Sequence, residues 1–306
     1  MHMADALISP VVGGVMWATS VGVAAYSIKK IRNDLDQKKI PLMGVMGAFI
    51  FATQMINFSI PGTGSSGHLG GGLLLAILLG PYAGFMTMFS ILAIQALFFA
   101  DGGLLALGSN VFNLGFFTCF IAYPLIYKRI MIKGYSPKRI FIASMLSSIV
   151  GLQLGAFSVV VETLFSGKTE LPFNTFLLLM QPIHLAIGII EGLVTTAIVT
   201  FVWKARPELI DNDNLKSIST KKVIIMLVVA TIIAGGFLSM FASKNPDGLE
   251  WALIKSSNNQ QIVQDNTAPL ITQNNGVSGI IGSGITLLIT TVIGIIISKV
   301  KKKKVV

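Results

Sequence analysis

Long apolar runs alternate with short polar segments along the whole 306-residue chain. A bilayer core of about 30 Å takes about 20 mostly apolar residues in one helix. On that measure the pattern predicts spans near Pro10–Ile28, Ile40–Phe58, Leu104–Tyr127, Ile140–Phe165, Ile183–Trp203, Val223–Phe241 and Ser278–Ser298. The stretch Leu69–Phe99 has Gly80-Pro81 near its middle. It reads either as one tilted helix or as two short helices meeting at that turn.

The basic residues choose between these. Lys29–Lys39, Lys128–Arg139, Lys204–Lys222 and Lys299–Lys304 hold five Lys or Arg each, and Lys168, Lys244 and Lys255 are the remainder. Cytoplasmic loops carry the excess of Lys and Arg. All four segments fall on one side only if Leu69–Phe99 crosses twice. That gives nine crossings, an outer N-terminus and a cytoplasmic C-terminus. The short pair within Leu69–Phe99 is expected to be partly buried in protein.

Composition narrows the class. The chain is 53% hydrophobic and only 12% charged, about half the charged share of a soluble protein. A soluble enzyme, a disordered chain and a disulfide scaffold are thereby disfavoured. Cys119 is the single cysteine, which leaves no intrachain disulfide. The net charge of +10 becomes a topology signal rather than a sign of nucleic acid. The outer side keeps three lysines against Asp5, Asp101, Glu170, Asp247, Glu250 and Asp265, so it is modestly acidic and suits an arriving cation. Met1–Ser9 lacks a basic leader region, and Met1 is expected to persist as the mature N-terminus.

The composition also shifts along the chain. A polar linker with Asp211-Asn212-Asp213-Asn214 precedes two helices separated by an outer loop at about 242–277, rich in Asn, Gln and Ser. We therefore expect a membrane component over 1–210 and a fused two-helix accessory module over 211–306.

Candidate chemistry is sparse. The amine of Met1, the amide nitrogen of His2 and the His2 imidazole close two fused chelate rings on one metal. A tetragonal nitrogen site suits Ni(II) or Cu(II), and Co(II) less well. An incidental histidine is the plain alternative. His68 lies in the glycine-rich stretch Pro61–Gly72, on the same outer side, and supplies a fourth nitrogen. A flexible glycine hinge carrying a solvated histidine is its alternative. His184 and Glu191 lie seven residues apart on one helix face, about 10 Å along the axis. Intramembrane ionisable groups are functional candidates, although an internal ion pair or hydrogen bond explains them equally well. Glu162 and Asp101 read the same way. Gln54 and Asn57 either orient the ligand residues or form interhelical hydrogen bonds. Gly14, Ala18 and Gly22, and Gly44, Ala48 and Ala52, permit close helix approach, within the chain or onto a partner. No nucleotide motif and no catalytic triad is found, so the chain is not expected to act as an enzyme.

Together these residues resemble a known family. Met1-His2-Met3-Ala4-Asp5-Ala6-Leu7-Ile8-Ser9-Pro10 is similar to the start of the CbiM/NikM family, the metal-binding components of energy-coupling-factor cobalt/nickel transporters. The likeness continues through Phe51–Phe58, Ser66–Gly72 and Gln95–Gly103 to His184 and Glu191. Asn245–Ala252 resembles the small accessory component, so the chain looks like a fused nickel-type protein. The resemblance implies an all-α, polytopic fold: a seven-helix bundle plus two transmembrane helices, with the N-terminus outside a bacterial or archaeal cell membrane. It implies metal on Met1, His2 and His68, with Gln54, Asn57, Ser66, Asp101, His184 and Glu191 around the site or along the path. It implies Ni(II), or alternatively Co(II), as transported ligand with no other cofactor. The implied partners are a transmembrane coupling protein and cytoplasmic ATPases, in contact with membrane lipid and with no nucleic acid. An ion-coupled secondary permease using Glu191 and Glu162 is the rival reading.

Overall fold

A computed structural model describes residues 2–34, 40–169, 171–205, 221–257 and 275–302. Met1, the Asp211–Asn214 linker and most of the Asn- and Gln-rich loop lie outside the described residues. Among the described residues the architecture is helical, with a single two-stranded hairpin. The helices are α1 (Pro10–Asp34), α2 (Ile40–Gln54), α3 (Gly72–Leu79), α4 (Pro81–Phe99), α5 (Leu107–Met131), α6 (Pro137–Ser166), α7 (Phe173–Ala205), α8 (Lys221–Ile232), α9 (Gly248–Ser257) and α10 (Asn275–Lys302). Helix α8 runs on through Phe241 by a wide turn and a tight one.

Seven of these helices are long and apolar enough to cross a membrane: α1, α4, α5, α6, α7, the extended α8, and α10. The protein is a multi-pass membrane protein of the cell membrane. Two of the nine expected crossings take a different form. Helix α2 stops at Gln54, short of the expected Phe58, and has 15 residues. Helix α3 has only eight, all buried, and rises about 12 Å at 1.5 Å per residue. Neither needs a full hydrophobic span, because nearly every residue of α2 and all of α3 face protein rather than lipid. The turn between α3 and α4 is at Gly80, whose φ of 86° favours glycine. Pro81 follows at the first position of α4, where its missing N–H costs nothing.

The span expected at Leu104–Tyr127 becomes α5, whose turns widen from Phe112 to Tyr127 and include Pro124. Proline removes one helical hydrogen bond, and neighbouring aromatic rings Phe112, Phe116 and Phe120 pack along this stretch. Helices α6 and α7 form the most extensive helix pair. Mutual side-chain-to-backbone bonds lace them together: Gln153 Nε2 donates to Gln181 O (2.8 Å) and Gln181 Nε2 to Gln153 O (3.4 Å). Helix α10 packs along α2. A side chain at Gly44 collides with Thr291, and one at Gly47 lies 3.1 Å from Thr290. So the small-residue stripe of α2 serves contacts inside the chain. The corresponding stripe of α1 does not: Gly14 and Gly22 face open space.

Between α2 and α3 the chain forms the hairpin β1 (Phe58–Ile60) with β2 (Ser65–Gly67), antiparallel, Ser59 opposite Ser66. This hairpin and the extended residues that follow carry His68 down against the helices. The sequence reading treated this stretch only as a glycine-rich loop.

Candidate metal centre

The N-terminal segment is fixed before it reaches any helix. Met3 is fully buried. Its N–H donates to Asn110 Oδ1 (2.7 Å), and Asn110 Nδ2 donates back to Met3 O (3.1 Å). Gly103 N also donates to Met3 O (3.1 Å), and Ala106 N donates to Asp5 Oδ1 (2.9 Å). A side chain at Gly103 collides with Asp5. The Asp101-Gly102-Gly103 turn is therefore shaped to let residues 2–5 lie against it, with Gly102 at φ 81°.

This clamp delivers His2. Its ring stacks on the His68 ring at a centroid distance of 4.9 Å and an interplanar angle of 9°. His2 Nδ1 lies 3.2 Å from Asp101 Oδ1. His68 is buried, and its Nδ1 lies 3.1 Å from Leu69 O. An Nδ1–H donated to a carbonyl leaves the lone pair on Nε2. Burial, aided by the positive charge of the N-terminus, lowers the His68 pKa to about 3, so this imidazole stays neutral and able to ligate. Burial alone pushes the Asp101 carboxyl up, but the charge and hydrogen bond of His2 outweigh it and hold Asp101 below the usual carboxylate range. The Nε2 atoms of His2, His68 and His184 are all buried without a hydrogen-bond partner. Among the described residues no three side chains of His, Cys, Asp and Glu converge as a ready-made metal cluster. The candidate nitrogen donors brought together are the imidazoles of His2 and His68.

The loop carrying His68 is anchored from below. Glu191 on α7 accepts from Gly70 N (2.7 Å) through Oε2 and from Gly71 N (3.1 Å) through Oε1. Gln54 Nε2 donates to Gly70 O (2.8 Å), and Gln95 Nε2 donates to Gln54 Oε1 (2.8 Å). Glu162 accepts from Asn113 Nδ2 (3.2 Å) and Ser158 Oγ (2.8 Å) on neighbouring turns. So Glu191 and Gln54 hold the His68 loop, and Glu162 ties α6 to α5.

The segment before α9 reaches the same mouth. Ser66 N donates to Pro246 O (2.8 Å), and Ser66 Oγ to Asn245 O (2.8 Å). Ser243 N donates to Asn57 O (2.7 Å). Asn57 thus takes part through its backbone carbonyl. Asp247 Oδ1 accepts from Glu250 N (2.7 Å), capping the start of α9, which is the physical reason for Asp at this position. Burial alone raises the Asp247 carboxyl, but the positive charge of the N-terminus and the Glu250 N–H bring it below its ordinary value. His184 stands apart from the His2–His68 stack on α7, its Nδ1 2.8 Å from Met180 O. His68, His184 and Asp247 line one cavity of about 10 Å³.

Asn110 has no place in the sequence reading, and Gln95, Gly103 and Asp247 enter it only within the stretches Gln95–Gly103 and Asn245–Ala252 and among the acidic residues, with no role at the centre. Their roles arise across separations such as the 107 residues from Met3 to Asn110.

The profile of the family described as the cobalt uptake substrate-specific transmembrane region, CbiM, matches residues 2–209, and the PDGLE domain matches residues 221–275. A protein of Archaeoglobus fulgidus assigned, without direct proof, as a fused nickel transport protein NikMN is 34% identical over 80% of this chain and 78% of its own length. The fused nickel transport protein NikMN of Rhodobacter capsulatus is 32% identical over 69% of this chain and 64% of its own. A crystal structure of a truncated transition metal transporter superposes with a TM-score of 0.60 at 31% identity, covering 67% of this chain and 99% of that one. With the buried pair of imidazoles, the helical membrane fold and these matches together, the chain belongs to the CbiM family of metal transport components, fused to a CbiN-like PDGLE domain.

Proposed function

We propose that this chain is the substrate-binding component of an energy-coupling-factor transporter importing Ni(II), with Co(II) as the alternative cargo. The single observation that carries the reading is the stack of His2 on His68 at the end of a clamped N-terminus. The cargo takes the Met1 amine, the His2 amide and imidazole, and His68 Nε2. The metal-binding component spans about 1–210, with the accessory module at 211–306.

Chelation through the His2 amide closes only through Nδ1, which here faces Asp101. Loading therefore turns the His2 ring and releases Asp101, whose carboxylate remains beside the cation. The amide gives up its proton on binding, so affinity falls as the medium is acidified. Partner ATPases then drive the reorientation that opens the site inward. The outward Gly14–Ala18–Gly22 face of α1 is where we place the coupling protein.

The test is His2→Ala, or acetylation of the Met1 amine, in the full purified chain. Tight binding of one Ni(II), with the absorption of a planar nitrogen complex, is expected to disappear. Retention of that tight, planar complex overturns the reading.

A further inference from the structure

His184 has no place in the chelate just described. It is buried to 1% exposure, and its Nε2 has no partner. Its Nδ1 is fixed on Met180 O at 2.8 Å, so the lone pair of the neutral ring points from Nε2. His68 is built the same way, with Nδ1 on Leu69 O and an unpartnered Nε2. Both rings line the same cavity of about 10 Å³, room for about one water-sized body. The rest of the wall is the side chains of Leu114, Leu152 and Ile187, the glycines Gly67, Gly70 and Gly248, and Asp247. A Cβ at Gly248 would lie 2.5 Å from Ile183 and 3.5 Å from His184 Cε1, so only glycine lets the segment carrying Asp247 come this close.

We propose that His184 Nε2 and His68 Nε2 form a second position for a borderline divalent cation, distinct from the N-terminal chelate, with Asp247 supplying negative charge. Imidazole nitrogens select such cations over Mg(II) or Ca(II). Because His68 belongs to both positions, a cation changes partners there. It leaves the Met1–His2 arm and gains His184 while one ligand stays attached. In both positions the cation takes Nε2 of His68, while Nδ1 of His68 and of His184 keeps its carbonyl, Leu69 O and Met180 O. The inference rests on the function proposed above.

The experiment uses the full chain carrying His2→Ala, titrated with Co(II). A residual, weaker Co(II) absorption band is expected, lost on adding His184→Ala or His68→Ala. In the His2→Ala parent itself, without further mutation, two hyperfine-shifted imidazole N–H resonances are expected, one each from His68 and His184. No residual Co(II), a band surviving His184→Ala, or a single shifted resonance overturns the second position and points to a bound water in the cavity. Failure of the unmodified chain to bind Ni(II) or Co(II) tightly is a separate result, and it overturns the transport reading instead.

Discussion

Asn110 holds residue 3 by both of its backbone groups, as a neighbouring strand would. His2 is only one residue away, so the position of its ring depends on that clamp. Supporting groups of this kind are worth about 10- to 100-fold in metal affinity. Asn110→Ala is therefore expected to weaken Ni(II) binding by about tenfold or more, read by calorimetric titration. Glu191 is the second such residue. Glu191→Gln replaces one of its two acceptors by a donor facing a glycine N–H. A buried group left unsatisfied costs about 1–3 kcal/mol, so the melting temperature and Ni(II) affinity should fall together. His68, neutral down to about pH 3 by burial, should show no titration of its ring signals between pH 5 and 8. The acid sensitivity of loading then comes from the N-terminal arm rather than from His68, and a His68 signal moving with a midpoint near its ordinary 6.5 contradicts this. The sequence shows that His2 and His68 are candidate ligands. It gives no sign of Asn110, because a lone asparagine in an apolar run looks the same whether it bonds a neighbouring turn or a segment 107 residues away.

Helices in a membrane associate through close packing rather than burial of apolar surface. The two small-residue stripes illustrate how differently one pattern is used. Gly44 and Gly47 on α2 admit α10, whereas Gly14 and Gly22 on α1 admit nothing within the chain. Gly44→Leu is expected to displace α10 and lower thermal stability. Gly14→Leu with Gly22→Leu should leave stability and Ni(II) binding unchanged and reduce co-purification with the coupling protein. Undiminished assembly in that double variant removes α1 from the interface. The hairpin β1–β2 and the half-length α3 are the elements that sequence reading resolves least. The strands Phe58–Ile60 and Ser65–Gly67 have three residues each and α3 is uniformly apolar or glycine, and periodicity needs longer windows to speak.

Across the whole molecule, the helices alternate so that the N-terminal segment, the His68 loop, the Asp101 turn and the segment before α9 meet at one end. The contacts Met3–Asn110, His2–Asp101 and Ser66–Pro246 are the stitches. Both intramembrane carboxylates of the rival permease reading are held by fixed donors. Accordingly the chain alone in proteoliposomes is expected to take up no Ni(II) under a pH gradient. Uptake should require the coupling protein, the ATPases and ATP. Gradient-driven uptake by the chain alone would favour the permease. The amino-acid sequence by itself determined the membrane class, the helical architecture, a short and partly buried pair within Leu69–Phe99, and the two histidines as candidate ligands, because hydropathy and basic residues are local properties set by solvent. The tertiary structure alone decided that α2 is short and buried, that α3 is buried throughout, that Glu191 anchors a glycine loop, and that Asp247 reaches the histidines. Those outcomes depend on which backbone groups and side chains meet across distant segments, and no local pattern of residues encodes such a meeting.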